Sequence, residues 1–277
     1  MVSVTFSNSN KTFILPESWE ELSPQQFLAV IDILAESTEK EKAKWRILQA
    51  LLNAPDRVFY NFNSYRDWKV SLGIDKNADI RREWLANAYS DELLPIIEFI
   101  WEPGPIFKNL VPSFTIGRNI YHGPKDGFED VSMYEIEEAD QYYQMYVATK
   151  EDKYMHNVAA CLYRVKDKDR KRTKFVQEEV ENTAKSFSVI PKQTLLAIKM
   201  TYERILLWYS MNPQYKSLFE GTGGKADLKS WSKLVRGMSG EKLGTIEQVR
   251  KLKLYEAFDQ LGFANEEAKA IIAQTKK

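Results

Sequence analysis

The sequence predicts a mainly α-helical protein carrying two small β-hairpins. Three observations lead there: capping boxes just before apolar runs, hydrophobic residues recurring at helical spacing through most of the chain, and Pro or Gly breakers between those runs. Summed, the periodic stretches cover roughly 60% of the residues, well above the usual third.

The elements follow in order. Val2, Val4 and Phe6 alternate with polar residues, Ser7–Lys11 supplies turn formers, and Thr12–Leu15 resumes an extended run, so residues 2–15 read as a hairpin. Ser23 with Gln26 makes a capping box, Pro24 takes the first helical position, and Phe27, Val30, Ile31 and Leu34 form one stripe. Thr38 with Glu41 reads as a second box, opening a helix that faces Ala43, Ile47, Ala50 and Leu51 one way and ends before Pro55. Residues 56–90 are dense in aromatics without a single period and read as loop and short helix. A brief helix over Ser90–Trp101 stops at the EPGP of Glu102–Pro105, the best internal boundary. A second hairpin is expected near residues 114–121, around Gly117–Asn119. Ser132 with Glu135 makes a third box, followed by a stripe through Met133, Ile136, Tyr143 and Val147. Further helices are expected over Lys153–Tyr163, Phe175–Phe187, Gln193–Met211, Asp227–Met238, Thr245–Leu261 and Asn265–Gln274. The breakers divide the chain into residues 1–105, 106–220 and a C-terminal segment 221–277 after a Gly-rich linker, or leave one continuous domain.

Composition excludes several function classes. Lys plus Arg and Asp plus Glu number 39 each, so no global field steers the molecule to nucleic acid or an anionic membrane, and any such binding is local. One cysteine and two histidines leave no disulfide framework and too little for a Cys/His zinc site. The N-terminus lacks a basic region leading into an apolar run, and the most apolar stretch, Leu195–Tyr209, is broken by Lys199, Glu203 and Arg204. The expectation is a cytoplasmic protein with no cofactor, no metal and no membrane partner.

Searches for chemistry yield no catalytic residue. The GTGGK of Gly221–Lys225 fails as a phosphate-binding loop, because Phe219 stands where the first glycine belongs and Ala226 follows the lysine. His156 and Cys161 are five apart, which sets them on different sides of a helix, and Cys161 reads as a core thiol. Glu129, Asp130, Glu135, Glu137, Glu138 and Asp140 cluster, and the expectation is a solvated helix face suited to the helix dipole. The contrasting run carries Arg164, Lys166, Lys168, Arg170, Lys171, Arg172 and Lys174 against two acids. It reads as a charged surface loop without interleaved aromatics, so nucleic acid is an unlikely partner, and replacing Arg170, Lys171 and Arg172 with Ser is expected to change stability little.

Three segments carry a resemblance. Leu15–Val30 (LPESWEELSPQQFLAV), Ile116–Arg164 (opening IGRNIYHGP and ending CLYR) and Trp231–Leu261 (opening WSKLVRGMSG) resemble, in order, the opening, middle and tail end of a family of prophage-encoded proteins from tail-morphogenesis gene modules. Relatives often continue with Pro after the Leu-Tyr-Arg, where this chain has the basic run, so no role for that run carries over. The resemblance implies a non-enzymatic phage tail-morphogenesis protein, an assembly chaperone for a helical tape-measure-type protein. The alternative is a structural virion component, a connector or tail-completion subunit; a nucleic-acid-binding accessory protein is less favoured. A chaperone of this kind needs apolar anchors at helical spacing. Trp231, Leu234 and Val235 make one such stripe, and Leu254, Phe258 and Leu261 a second. A stripe of this kind is first presumed buried, but glycines at Gly221–Gly224, Gly240 and Gly244 favour a partner surface for part of it.

Overall fold

Ser23 starts the first helix as its chemistry dictates: its side chain accepts from the Gln26 amide, and the Gln26 side chain closes back on the Ser23 amide. The computed structural model describes residues 1–5, 12–53, 92–102, 104–215, 235–236, 238–239 and 243–263. It is mainly helical with two small antiparallel hairpins, and it divides into two units, Met1–Gly104 and Pro105–Lys277. The unit boundary falls inside the EPGP cluster.

In the first unit β1 (Val2–Thr5) pairs with β2 (Thr12–Leu15), setting Val2 opposite Leu15 and Val4 opposite Phe13. α1 (Pro24–Glu36) buries Phe27, Val30, Ile31 and Ile33, while Leu34 is half-buried. α2 (Lys40–Leu52) has Glu39 at its N-cap and no capping side chain, so the box expected at Thr38 does not form. It buries Ala43, Ile47, Leu48 and Leu51 and ends at Asn53 in the left-handed conformation asparagine tolerates. Gln26 Nε2 donates to Leu51 O at 2.6 Å, tying the helix pair together. Trp19 meets Phe27 and Phe99 edge-on, and its Nε1 donates to Phe99 O at 3.0 Å. Phe99 belongs to a 3-10 helix over Leu94–Trp101. The reading of residues 56–90 lies outside the described residues.

In the second unit β3 (Ser113–Ile116) pairs with β4 (Asn119–His122) around Gly117, as the alternation predicts. α3 (Met133–Thr149) packs on α4 (Asp152–Leu162); α5 (Val180–Ser186) and the twenty-residue α6 (Lys192–Met211) complete the body. Buried Met133, Ile136 and Tyr143 follow the expected stripe of α3, but Val147 is exposed. The helix expected over Thr245–Leu261 is two helices. α7 (Ile246–Lys251) opens with a complete Thr245–Gln248 capping box, and helical residues 254–263 follow after a break at Leu252. The break serves a strand-like contact, in which Met133 N donates to Leu252 O and Leu254 N donates to Val131 O, both at 2.9 Å. Residues 252–254 are thereby stitched to the start of α3. Cys161 is fully buried, and burial pushes its thiol well above the ordinary value, so it stays protonated.

Gly127 is the tightest point in this body. Its φ is +57°, its amide donates to Phe107 O at 2.6 Å, its carbonyl accepts from the Tyr209 hydroxyl at 2.6 Å, and a Cβ there would lie 2.0 Å from the Phe107 ring. We expect Gly127→Ala to destabilise by about 2–3 kcal/mol through combined strain and overlap. A urea midpoint equal to that of the parent protein would show that this turn relaxes freely.

Candidate functional site

Acidic side chains on α3 lie inside the protein. Glu135, Glu137, Glu138 and Asp140 are 5%, 2%, 6% and 4% exposed, which corrects the expectation of a solvated face. Carboxylates reach such burial only when paired or hydrogen-bonded. The partners come from distant parts of the second unit. Arg164, just past the end of α4, donates from Nη2 to Glu135 Oε2 at 2.9 Å. Arg172 donates from Nε to Asp130 Oδ2 at 2.9 Å and sits 3.6 Å from the same Glu135 oxygen. Arg250 forks onto Glu137 with bonds of 2.7 and 3.0 Å while lying over the Tyr134 ring. Glu138 accepts from Gln177 Nε2 at 2.9 Å, and burial raises its carboxyl above the usual range.

The two arginines of the basic run also close the end of α4. Arg164 Nη1 donates to Cys161 O and Arg172 Nη1 to Leu162 O, satisfying carbonyls that the helix leaves open. This corrects the reading of the run as a uniform surface loop. Arg164 and Arg172 point inward, with side chains 12% and 6% exposed, whereas Lys166, Lys168, Arg170, Lys171 and Lys174 are exposed. Backbone bonds hold the run in hairpin form: Thr173 N donates to Val165 O at 2.9 Å and Asp167 N to Lys171 O at 2.8 Å, while His122 and Arg164 exchange bonds across to β4. Asp167 Oδ1 receives the Asp169 and Lys171 amides, and Arg170 takes the positive φ at the tip.

This frame floors a cleft of about 1530 Å³ in the second unit. The hairpin forms one wall. Arg250, Lys251 and Lys253 form another, and residues 122–126 also line it. Ten Lys and Arg line it against five Asp and Glu. Arg164, Arg172 and Arg250 are engaged by carboxylates, and Lys253 Nζ donates to Asp130 O at 3.0 Å. Lys125, Lys166, Arg170, Lys171, Lys174 and Lys251 have no ion-pair partner among the described residues. His122 also lines the cleft; burial and then Lys166 lower its pKa, so the imidazole is neutral at neutral pH. Such a surface attracts and orients anions. Among the described residues no group of three or more His, Cys, Asp and Glu is placed to hold a metal, and no helix is long and apolar enough to cross a membrane.

The expected partner stripes behave differently. Val235, Leu254 and Phe258 are buried and Leu261 is half-buried, while Trp231, Leu234 and the GTGGK segment lie outside the described residues. Phe258 stacks on Tyr209 with centroids 4.9 Å apart and on Tyr215 at 5.6 Å. Val235, Leu254 and Phe258 are therefore core, Phe258 being covered by Tyr209 of α6 and by Tyr215 just beyond it. Sequence reasoning found the basic run but missed Lys125, which follows β4 where His122 bonds to Arg164, and Arg250, Lys251 and Lys253, which are brought in by the contact of residues 252–254 with the start of α3. Comparison with protein-family models, curated proteins and solved structures returns no match.

Proposed function

We propose that the chain is a non-enzymatic protein of phage tail morphogenesis, an assembly chaperone that holds another tail protein by non-covalent contact in the bacterial host cell. The observation that carries this reading is the cleft: a floor locked by paired charges beside cations that have no ion-pair partner among the described residues, an arrangement suited to gripping a partner. The ordered resemblance of Leu15–Val30, Ile116–Arg164 and Trp231–Leu261 to tail-morphogenesis proteins supports the setting. With Val235, Leu254 and Phe258 buried, the partner surface is assigned to the cleft and not to those stripes.

The test is co-purification of the tagged chain from cells assembling tails, alongside analysis of finished particles. A chaperone brings down a tail protein from the lysate and is absent from particles. Fixed stoichiometry in particles would instead favour a connector or tail-completion subunit, and capture of no tail protein would end the tail reading.

A further inference from the structure

We propose that the cleft between residues 164–174 and residues 250–253 binds an acidic, extended segment of another polypeptide. Its volume, about 1530 Å³, exceeds the roughly 300–1000 Å³ of a small-molecule site and gives room for a length of polymer. The rim charge is supplied almost wholly by lysine: Lys125, Lys166, Lys171, Lys174 and Lys251, with Arg170. These ammonium groups are flexible point charges that meet carboxylates arriving at varied angles.

The other polyanion with such reach is a nucleic acid, and four observations set it aside. Asp126, Glu129 and Glu247 share the walls, where they interrupt the continuous positive track that an evenly charged phosphate backbone follows and can accept the N–H groups of a peptide. Arg164 and Arg172, best suited to fork onto phosphate, are already held by Glu135, Asp130 and backbone carbonyls. Two of the lining aromatic rings are partly engaged as well. Arg250 covers one face of Tyr134, Arg164 covers one face of Phe175, and the two rings meet edge-on at 5.3 Å, which leaves less ring surface for a base to stack on. The chain as a whole also carries zero formal charge and lacks the far field that collects nucleic acid.

The inference deepens the chaperone reading by naming the chemistry its partner presents, but its test does not require the tail protein. A fluorescein-labelled peptide with Glu at every second position is titrated with the full chain by anisotropy, beside the same peptide with Gln for Glu and a single-stranded oligothymidylate of equal charge. The Glu peptide is expected to bind at least tenfold more tightly than either, with affinity falling as salt rises. Combining Lys166→Gln, Lys171→Gln and Lys174→Gln should weaken it roughly tenfold or more. Lys168→Gln, in the same loop but outside the cleft lining, should leave it within about twofold. All four positions are exposed, so matched melting curves show that the fold is retained. Equal binding of the Gln peptide, tighter binding of the oligonucleotide, or an unaffected triple variant overturns the proposal. Peptide binding without capture of any tail protein removes the tail reading alone.

Discussion

Arg172→Ala is expected to lower stability by about 3–5 kcal/mol, the range for removing one partner from a buried ion network. The guanidinium side chain is 6% exposed and touches Asp130 Oδ2, the Asp130 and Leu162 carbonyls, and the neighbourhood of Glu135. Burial lowers its pKa from the ordinary arginine value, and Glu135 and Asp130 counter that pull, so the charge depends on its acids as they depend on it. Truncation leaves Asp130 with one cation fewer, Glu135 with Arg164 alone, and the Leu162 carbonyl without its donor. Arg172→Lys should recover little, because one ammonium does not span the carboxylate and two carbonyls together. Arg170→Ser and Lys171→Ser, whose side chains are exposed, should stay within about 0.5 kcal/mol of the parent. The expectation of a silent Ser substitution at all three positions is thus kept for Arg170 and Lys171, which are exposed, and replaced at Arg172, which is buried. Urea unfolding of the single variants decides it; an Arg172→Ala midpoint matching the parent would falsify the buried-frame account.

That contrast shows which information was local. The Ser23–Gln26 box and Pro24 placed α1 because both halves of the device lie within four residues. The hairpin around Gly117 was legible for the same reason, since alternation and turn residues are neighbours in sequence. Thr38 misled because the chain enters the helix one residue later, at Glu39, so Thr38 does not stand at the cap position that the pattern requires. The acidic run on α3 was misread for a different reason. Its charge is visible in the sequence, but its burial depends on Arg164, 29 residues beyond Glu135, and on Arg250, 113 residues beyond Glu137. No short-range pattern encodes those pairings. The cleft was half-legible: the basic run announced itself, while the lysines of the facing wall arrived through the break at Leu252, which periodicity alone reads as continuous helix. The inward turn of Arg164 and Arg172 follows from the open carbonyls at the end of α4, a need that the end of any helix creates but that does not say which donors meet it.

Asp140→Asn should stabilise the protein above neutral pH and flatten its pH dependence. Asp140 lies on the buried face of α3, where its carboxyl meets Gln144 Nε2 at 3.3 Å and the Tyr202 hydroxyl at 3.5 Å, with no cation beside it among the described residues. Nearby, the Tyr143 hydroxyl is committed to Glu203, which Lys199 pairs at 2.9 Å, so those groups balance one another and leave Asp140 uncompensated. Burial dominates the two hydrogen bonds and pushes the carboxyl up from 3.8 to about 7. The folded protein therefore keeps a proton that the unfolded chain releases near pH 4. Stability from this group is full below pH 4, declines as pH rises, and is lost once pH passes about 7, a total of at most about 4 kcal/mol. Glu138, also raised by burial, slopes in the same direction and remains in the variant, so the profile flattens without becoming level. Asparagine keeps the shape and the hydrogen bonds of the neutral acid without ionising. Urea unfolding at pH 5 and pH 8 reads the result directly: the advantage of Asp140→Asn over the parent should grow by about 2–3 kcal/mol between them. Parallel profiles would mean that Asp140 ionises in the folded protein at its ordinary pH, with water or a cation reaching it through a path between α3 and α6.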